Sequence, residues 1–108
     1  MVTTATALRT YHCWAAARAH DNTKPISLGT CTAPSPRLAL RWLRHRTAAV
    51  TAQLDPRYAR VGHDWLTDET EQEQALTLLA TGHAYRVTLH DDQTTYVIAA
   101  TPPETTSW

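Results

Sequence analysis

The strongest constraint on the fold is one well-marked helix near the middle of the chain. Ser35 is a favourable N-cap residue, and Pro36 follows at the first helical position, where a missing N–H does no harm. The apolar pattern continues to Leu54, and Asp55-Pro56 ends it because the residue before a proline is pushed out of the α region. We therefore predict a helix over residues 36–54, against which the other elements must pack.

A projection of this helix at about 100° per residue separates its side chains into two faces. With Arg37 at zero, Arg41, Arg44 and His45 fall within about 80° of it and form a basic ridge. The apolar side chains are centred on the opposite side, at about 190°: Leu38, Ala39, Trp42, Leu43, Ala49, Val50 and Leu54. The basic ridge (Arg37, Arg41, Arg44, His45) is predicted to face outward, with the apolar face packed on the domain.

Arg46 does not follow this division, because it falls at about 180°, in the middle of the apolar face. Its aliphatic stem can pack there, but its guanidinium must find a partner or reach solvent. One hypothesis is a structural ion pair with an acid from the C-terminal half, with Asp64 or Asp68 as the candidates. The alternative is that the apolar face ends early and leaves Arg46 at a solvated margin.

Capping signals also indicate a second helix, over residues 68–81. Asp68, followed three residues later by Glu71, resembles a capping box, and Gly82 is placed to end the helix in the left-handed conformation. The helix is thus predicted from both of its ends.

Two pairs of β-prone runs flank the helices. At the C-terminal side, residues 84–90 and 94–101 surround a short acidic turn, which indicates a hairpin. The N-terminal third is ambiguous, because the alanine-rich residues 5–20 could form a helix by propensity. The same segment and the run after it also read as strand, turn and strand, and we favour this second hairpin.

The register of the N-terminal hairpin decides the position of the two cysteines. An odd-numbered turn centred on Asn22 places Cys13 directly opposite Cys31 on one face of the hairpin, whereas a two-residue Asn22-Thr23 turn would point the two thiols to opposite faces. On the other face the odd-numbered turn collects four residues: Trp14, Ala16, Ile26 and Leu28. Two unpaired thiols are the main expectation, and a disulfide or a shared metal are the alternatives.

These elements predict an α+β fold with the order ββααββ, in which antiparallel hairpins pack with a helical pair in two layers. Residues 1–102 are expected to form a single domain and residues 103–108 a flexible C-terminal tail. No run of about 18 apolar residues is present, so we expect no membrane span. Two cysteines do not make a disulfide framework, and a cytoplasmic location is the expectation.

The formal net charge of zero hides a strong asymmetry. Residues 1–63 contain nine basic and two acidic side chains, whereas residues 64–108 contain one basic and eight acidic side chains. Opposite charges on two parts of one chain could meet within the molecule or between copies. Self-association is therefore an open alternative for the use of the basic ridge.

Chemistry-bearing motifs are weak in this sequence. Its six histidines are scattered, no zinc-ligand spacing is present, and its three glycines lie too far apart to form a phosphate-binding loop. We therefore expect no catalytic residues, no metal and no cofactor, and predict that the protein is not an enzyme.

The remaining signal is the basic ridge. Arginines at helical spacing can bind carboxylates or phosphates, so the sequence favours a small non-enzymatic binding or regulatory module that docks an acidic protein surface through Arg37, Arg41, Arg44 and His45. A nucleic-acid-binding protein that uses the same residues is the first alternative. A small hydrolase such as a ribonuclease is the second.

Overall fold

Four antiparallel strands form one sheet, and three helices lie between the second and third strands in the chain. The computed structural model describes residues 10–21 and 24–103. Its elements are β1 (Tyr11–Ala19), β2 (Ile26–Ala33), α1 (Pro36–Thr51), α2 (Pro56–Thr67), α3 (Glu69–Ala80), β3 (Tyr85–His90) and β4 (Thr94–Thr101). The predicted α+β class, with a hairpin on each side of a helical segment, is confirmed.

The sheet has the strand order β2-β1-β4-β3, so the first strand of one hairpin lies beside the last strand of the other. β1 and β4 pair with each other in the centre, and β2 and β3 are the edge strands. The N-terminal segment is therefore a hairpin, and the helical alternative is wrong for its described part. The helix-forming tendency of alanine is weak, and pairing of β1 with strands on both sides overrides it.

The predicted hairpin register is correct for the residue pairs far from the turn, and a bulge changes the pairs near it. Cys13 pairs with Cys31, as expected, but the register shifts between Ala15 and Ala16. The shift leaves Leu28 as an extra residue in β2, because Ala15 pairs with Gly29 while Ala16 pairs with Ser27. The predicted turn centre, Asn22, lies outside the described residues.

The bulge corrects the prediction of which side chains share a face. We expected Trp14, Ala16, Ile26 and Leu28 to share one face of the hairpin. Instead Leu28 packs against the buried core, whereas Trp14 is not part of the core. The β1 residues in the core are the alternate set, Tyr11, Cys13 and Ala15. One extra residue in a strand reverses the face of every side chain beyond that residue. The sequence alone did not reveal this bulge.

Helix α1 begins as predicted and ends one turn earlier. The Ser35 Oγ accepts a hydrogen bond of 3.2 Å from the Leu38 N–H, which confirms the N-cap. The helix ends at Thr51 rather than at Leu54. The chain needs residues 52–55 to turn back on itself, because another helix follows at once.

That following helix, α2, was not predicted. Asp55-Pro56 was interpreted only as a stop signal, although Asp55 is also the N-cap of α2 and Pro56 its first residue. The order of N-cap and proline is the same as at Ser35 and Pro36, but the Asp55 side chain makes no capping hydrogen bond. The helical segment therefore contains three helices rather than a pair.

Helix α3 confirms both predicted ends. The Asp68 Oδ1 accepts a hydrogen bond of 3.1 Å from the Glu71 N–H, and Gly82 has a φ of 92°. The His83 N–H then bonds to the Leu78 carbonyl at 2.8 Å, which is the six-to-one bond of a Schellman motif. Local signals were sufficient here because each cap involves only near neighbours in the chain.

The core lies between the sheet and the helices. It contains buried side chains from every strand and from α1 and α3, including Tyr11, Leu43, Leu79, Leu89 and Ile98. The buried Tyr11 hydroxyl donates a hydrogen bond of 2.9 Å to the Leu79 carbonyl, which ties β1 to the end of α3. Within the described ranges, no helix is long and apolar enough to cross a membrane.

Candidate binding groove

A groove of about 640 Å³ runs between helix α1 and the edge strand β2. We call it the α1–β2 groove. Its helical side is formed by residues that recur every three or four positions, Leu38, Arg41, Trp42, His45, Arg46 and Ala49. Its other side is formed by the last residues of β2 and the corner after it, Cys31, Thr32, Ala33 and Pro34. None of these ten side chains is acidic.

The groove exists because α1 is rotated relative to the sequence-based expectation. The buried residues of α1 are Ala39, Leu40, Leu43, Thr47 and Thr51. On the same projection their centre lies at about 270° rather than at about 190°. Part of the apolar face therefore points away from the core, and Leu38 is 44% exposed.

Packing against α2 accounts for this rotation. Thr51 is buried where α1 meets α2, and a Cβ added to Gly62 would overlap the Thr51 hydroxyl. This close approach of α2 requires the threonine side of α1 to face inward. Leu38, Trp42 and Ala49 are then turned toward β2, where they supply the apolar part of the groove.

The residues of the basic ridge separate into two groups at the groove. All four are exposed, as predicted for an outward face. Arg41 and His45 belong to the lining, whereas Arg37 and Arg44 do not. The structure thus brings two of the predicted residues together with apolar neighbours and leaves the other two on open surface.

Arg46 closes the groove at one end. Its guanidinium carbon lies 5.5 Å from the centre of the Trp42 ring, which is within the range of a cation–π contact. The same guanidinium lies against Gly29, since a Cβ added there would be 2.8 Å from Nη2. Beyond Arg46 a smaller cavity of about 220 Å³ continues along α1 toward Tyr96.

These contacts differ from the ion pair that the sequence suggested. Among the described residues, no salt bridge joins Arg46 to Asp64 or Asp68, and both acids are exposed. Asp68 instead caps α3. Arg46 is half-buried, and Val50 and Leu54 beyond it in the chain still pack against the core.

Both cysteines are free, and one of them lines the groove. Burial raises the pKa of the Cys13 thiol to about 11, and the neighbouring Cys31 adds to the shift. The Cys31 thiol is half-buried and donates a hydrogen bond of 3.3 Å to the Thr32 carbonyl. Because the thiolate is the reactive form, the raised pKa makes Cys13 a poor nucleophile at neutral pH.

Sequence reasoning missed a polar network between α2, α3 and β3. The Trp65 indole N–H donates to the Tyr85 hydroxyl at 2.8 Å, and that hydroxyl donates to the Glu71 carboxylate at 2.6 Å. Burial and the Glu71 hydrogen bond raise the pKa of Tyr85 to about 12. These residues are far apart in the chain, so no local pattern signals their contact.

The other titratable side chains form no comparable centre. Over residues 10–21 and 24–103, no group of three histidine, cysteine or acidic side chains could hold a metal ion. Backbone N–H groups of Gln93 and Thr94 donate to Asp91 at 2.8 and 2.7 Å, and these bonds lower the pKa of its carboxyl. Asp91 therefore stabilises the β3–β4 turn. Of the described histidines, His45 lines the α1–β2 groove.

Comparison with known proteins adds no further constraint. No family model, no curated protein and no solved structure matches this chain.

Proposed function

We propose that this chain is a small non-enzymatic binding module that docks an acidic segment of a partner in the α1–β2 groove. One observation carries the proposal: the groove combines an apolar floor with cations at its margin, and none of its ten described lining residues is acidic. Apolar contacts supply affinity when a partner displaces water, and charges at the margin steer the partner and set its orientation.

The apolar floor favours a peptide over nucleic acid as the ligand. Leu38 and Trp42 lie beside Arg41 in the lining, and phosphates gain little from aliphatic neighbours. A polypeptide segment can place carboxylates against the cations while the aliphatic stems of the same side chains cover the floor. The proposed partner is therefore an acidic protein segment.

A direct test uses an eight-residue peptide of alternating glutamate and valine, acetylated and amidated at its ends and labelled with a fluorophore. We expect fluorescence anisotropy to show saturable binding at about 50 mM salt and weaker binding at about 200 mM, because screening shortens the reach of exposed charges. Leu38→Ala should weaken binding without unfolding the chain, since Leu38 is 44% exposed.

The matched control compares two arginines of one helix. Arg41→Ala and Arg44→Ala change the net charge equally, and both side chains are exposed, but only Arg41 lines the groove. We expect about a fivefold loss of affinity for Arg41→Ala and less than a twofold loss for Arg44→Ala. Equal losses would indicate non-specific attraction to the basic ridge and would contradict docking in the groove.

The same assay tests the nucleic-acid alternative. Labelled duplex and single-stranded oligonucleotides should bind less tightly than the peptide at about 50 mM salt. Tighter oligonucleotide binding, with similar losses for Arg37→Ala, Arg41→Ala and Arg44→Ala, would replace the proposal by a nucleic-acid-binding function.

A further inference from the structure

Strand β2 offers an unused edge beside the groove. It is the last strand of the sheet, and among the described residues no strand pairs with it on the side away from β1. Such an edge presents backbone N–H and C=O groups that can pair with an added strand. Pairing of this kind is a common way for a protein to bind an extended peptide.

Part of this edge lacks the usual protection against pairing. Proteins blunt their edges with proline, charge or bulges, and here Pro25, the bulge at Leu28 and Pro34 lie toward the two ends of β2. The run between them, residues 30–33, contains no proline and no charged side chain. At about 3.3 Å per residue, this run gives an open edge about 13 Å long.

The open edge and the groove are the same place in the fold. Residues 31–33 line the groove, so a segment paired with the edge would also lie against α1. In a strand, successive side chains point to opposite faces. Every second side chain of the added segment would therefore face Leu38, Arg41 and His45.

The spacing of the cations in the groove is compatible with an extended segment. Arg41 and His45 are four residues apart on α1, which places their Cβ atoms about 6 Å apart. Acids at alternate positions of a strand are about 7 Å apart, so two of them can face the two cations at once. Acids next to each other in a strand cannot, because they point to opposite faces.

We infer that the partner segment binds as a fifth strand on β2, with acidic side chains at alternate positions directed toward Arg41 and His45. This inference rests on the proposed function and adds how the segment is held. It commits the groove to an extended acidic peptide, with specificity from side-chain spacing and affinity partly from backbone hydrogen bonds.

Backbone methylation of the alternating peptide tests the strand pairing. In a strand the N–H groups of neighbouring residues point to opposite edges, so all valine N–H groups of the alternating peptide point to one edge and all glutamate N–H groups to the other. We therefore compare one peptide methylated at every valine nitrogen with one methylated at every glutamate nitrogen. One of the two should lose about tenfold in affinity and the other less than threefold. Equal losses, or no loss in either, would overturn the inference.

Amide hydrogen exchange locates the pairing on the protein. Addition of the unmethylated peptide should slow exchange in β2 and leave β3, the other edge strand, unchanged. Slowing in β3, or in neither strand, contradicts strand addition to β2. Slowing in β2 without peptide, increasing with protein concentration, would show that a second copy occupies the edge and would also overturn the inference.

A peptide of equal composition tests the acid spacing. Four glutamates and four valines arranged in adjacent pairs keep the charge but place fewer carboxylates on one face. We expect about a fivefold weaker affinity than for the alternating peptide. If both peptides bind equally, the inferred spacing is wrong while the proposed function stands; if neither binds, the proposed function itself fails.

Discussion

At the scale of single residues, Gly29 and Arg46 together form the closed end of the groove. Gly29 has a φ of 135°, which side chains rarely allow, and it lies under the Arg46 guanidinium. The bulge in β2 requires this unusual backbone conformation, and the Arg46 guanidinium occupies the space that a side chain at position 29 would fill. In the sequence Arg46 stands out only as a charge on the apolar face of the helix, and Gly29 does not stand out. Their relation becomes visible only when β2 and α1 are adjacent.

Substitution of Gly29 should therefore be costly. We expect Gly29→Ala to lower the free energy of unfolding by about 2 kcal/mol, because it combines backbone strain with displacement of Arg46. Gly82 also has a positive φ, but no atom lies within 4 Å of a Cβ added there. Chemical denaturation should thus show a smaller loss for Gly82→Ala.

A double-mutant cycle separates the two causes. If Arg46 contributes to the loss, Gly29→Ala and Arg46→Ala combined should cost at least about 0.5 kcal/mol less than the sum of the single changes. Additive losses would mean that backbone strain alone explains the effect.

At the scale of elements, α2 determines the orientation of α1. Gly62 of α2 lies against Thr51 of α1, and this contact turns the threonine side of α1 toward the core. Leu38 and Trp42 are turned toward β2 as a result. An element absent from the sequence-based prediction thus decides which side chains form the candidate site.

The contact predicts an unusual response to a helix-favouring substitution. Alanine in place of glycine normally stabilises a helix by about 1 kcal/mol. Gly62→Ala should instead destabilise the protein by about 2 kcal/mol, because its Cβ would overlap the Thr51 side chain.

Thermal unfolding of two variants checks this expectation. Thr51→Ala should recover part of the stability lost in Gly62→Ala, since it removes the overlapping atoms. A stabilised Gly62→Ala variant would mean that α1 and α2 do not approach as closely as described.

At the scale of the whole molecule, one half-buried hydroxyl joins three elements of the fold. Tyr85 of β3 contacts Trp65 of α2 and Glu71 of α3, and its pKa is raised to about 12. The Cys13 thiol, with a pKa of about 11, lies in the core contributed by β1. Both groups are neutral in the folded protein over a pH range in which the unfolded chain releases their protons.

Stability should consequently fall in alkaline solution. Below about pH 9 both groups are protonated in the folded and the unfolded state, so they contribute no pH dependence to the free energy of unfolding. Above that pH the unfolded chain loses these protons first. The free energy of unfolding then decreases until the pH passes the pKa values of the folded state. We expect a decrease between about pH 9 and pH 12, measured by urea denaturation at a series of pH values.

Two tyrosine variants test the assignment. Tyr85→Phe should make the decrease between about pH 10 and pH 12 shallower, because the raised pKa is removed. Tyr58→Phe serves as the control, since its ring contacts Arg57 and its hydroxyl has no hydrogen bond among the described residues. An unchanged slope in Tyr85→Phe would show that this hydroxyl does not control the alkaline transition.

The sequence by itself determined what depends on neighbours along the chain. The caps at Ser35 and Asp68, the left-handed Gly82 and the β3–β4 hairpin were predicted correctly, because each relies on hydrogen bonds or turn preferences within a few residues. The Cys13–Cys31 pairing was also predicted correctly, but the pairs nearest the turn were not, because the bulge at Leu28 shifts the register between them.

Only the tertiary structure decided which part of α1 is buried and what lies beside it. The basic ridge was correctly placed outside, but its division between groove and open surface depends on α2 and on the bulge in β2. The apolar face of α1 is wider than the core can cover, and distant packing selects the part that remains open. That selection is a sum of non-local contacts, so helical periodicity could indicate the faces of α1 but not the groove.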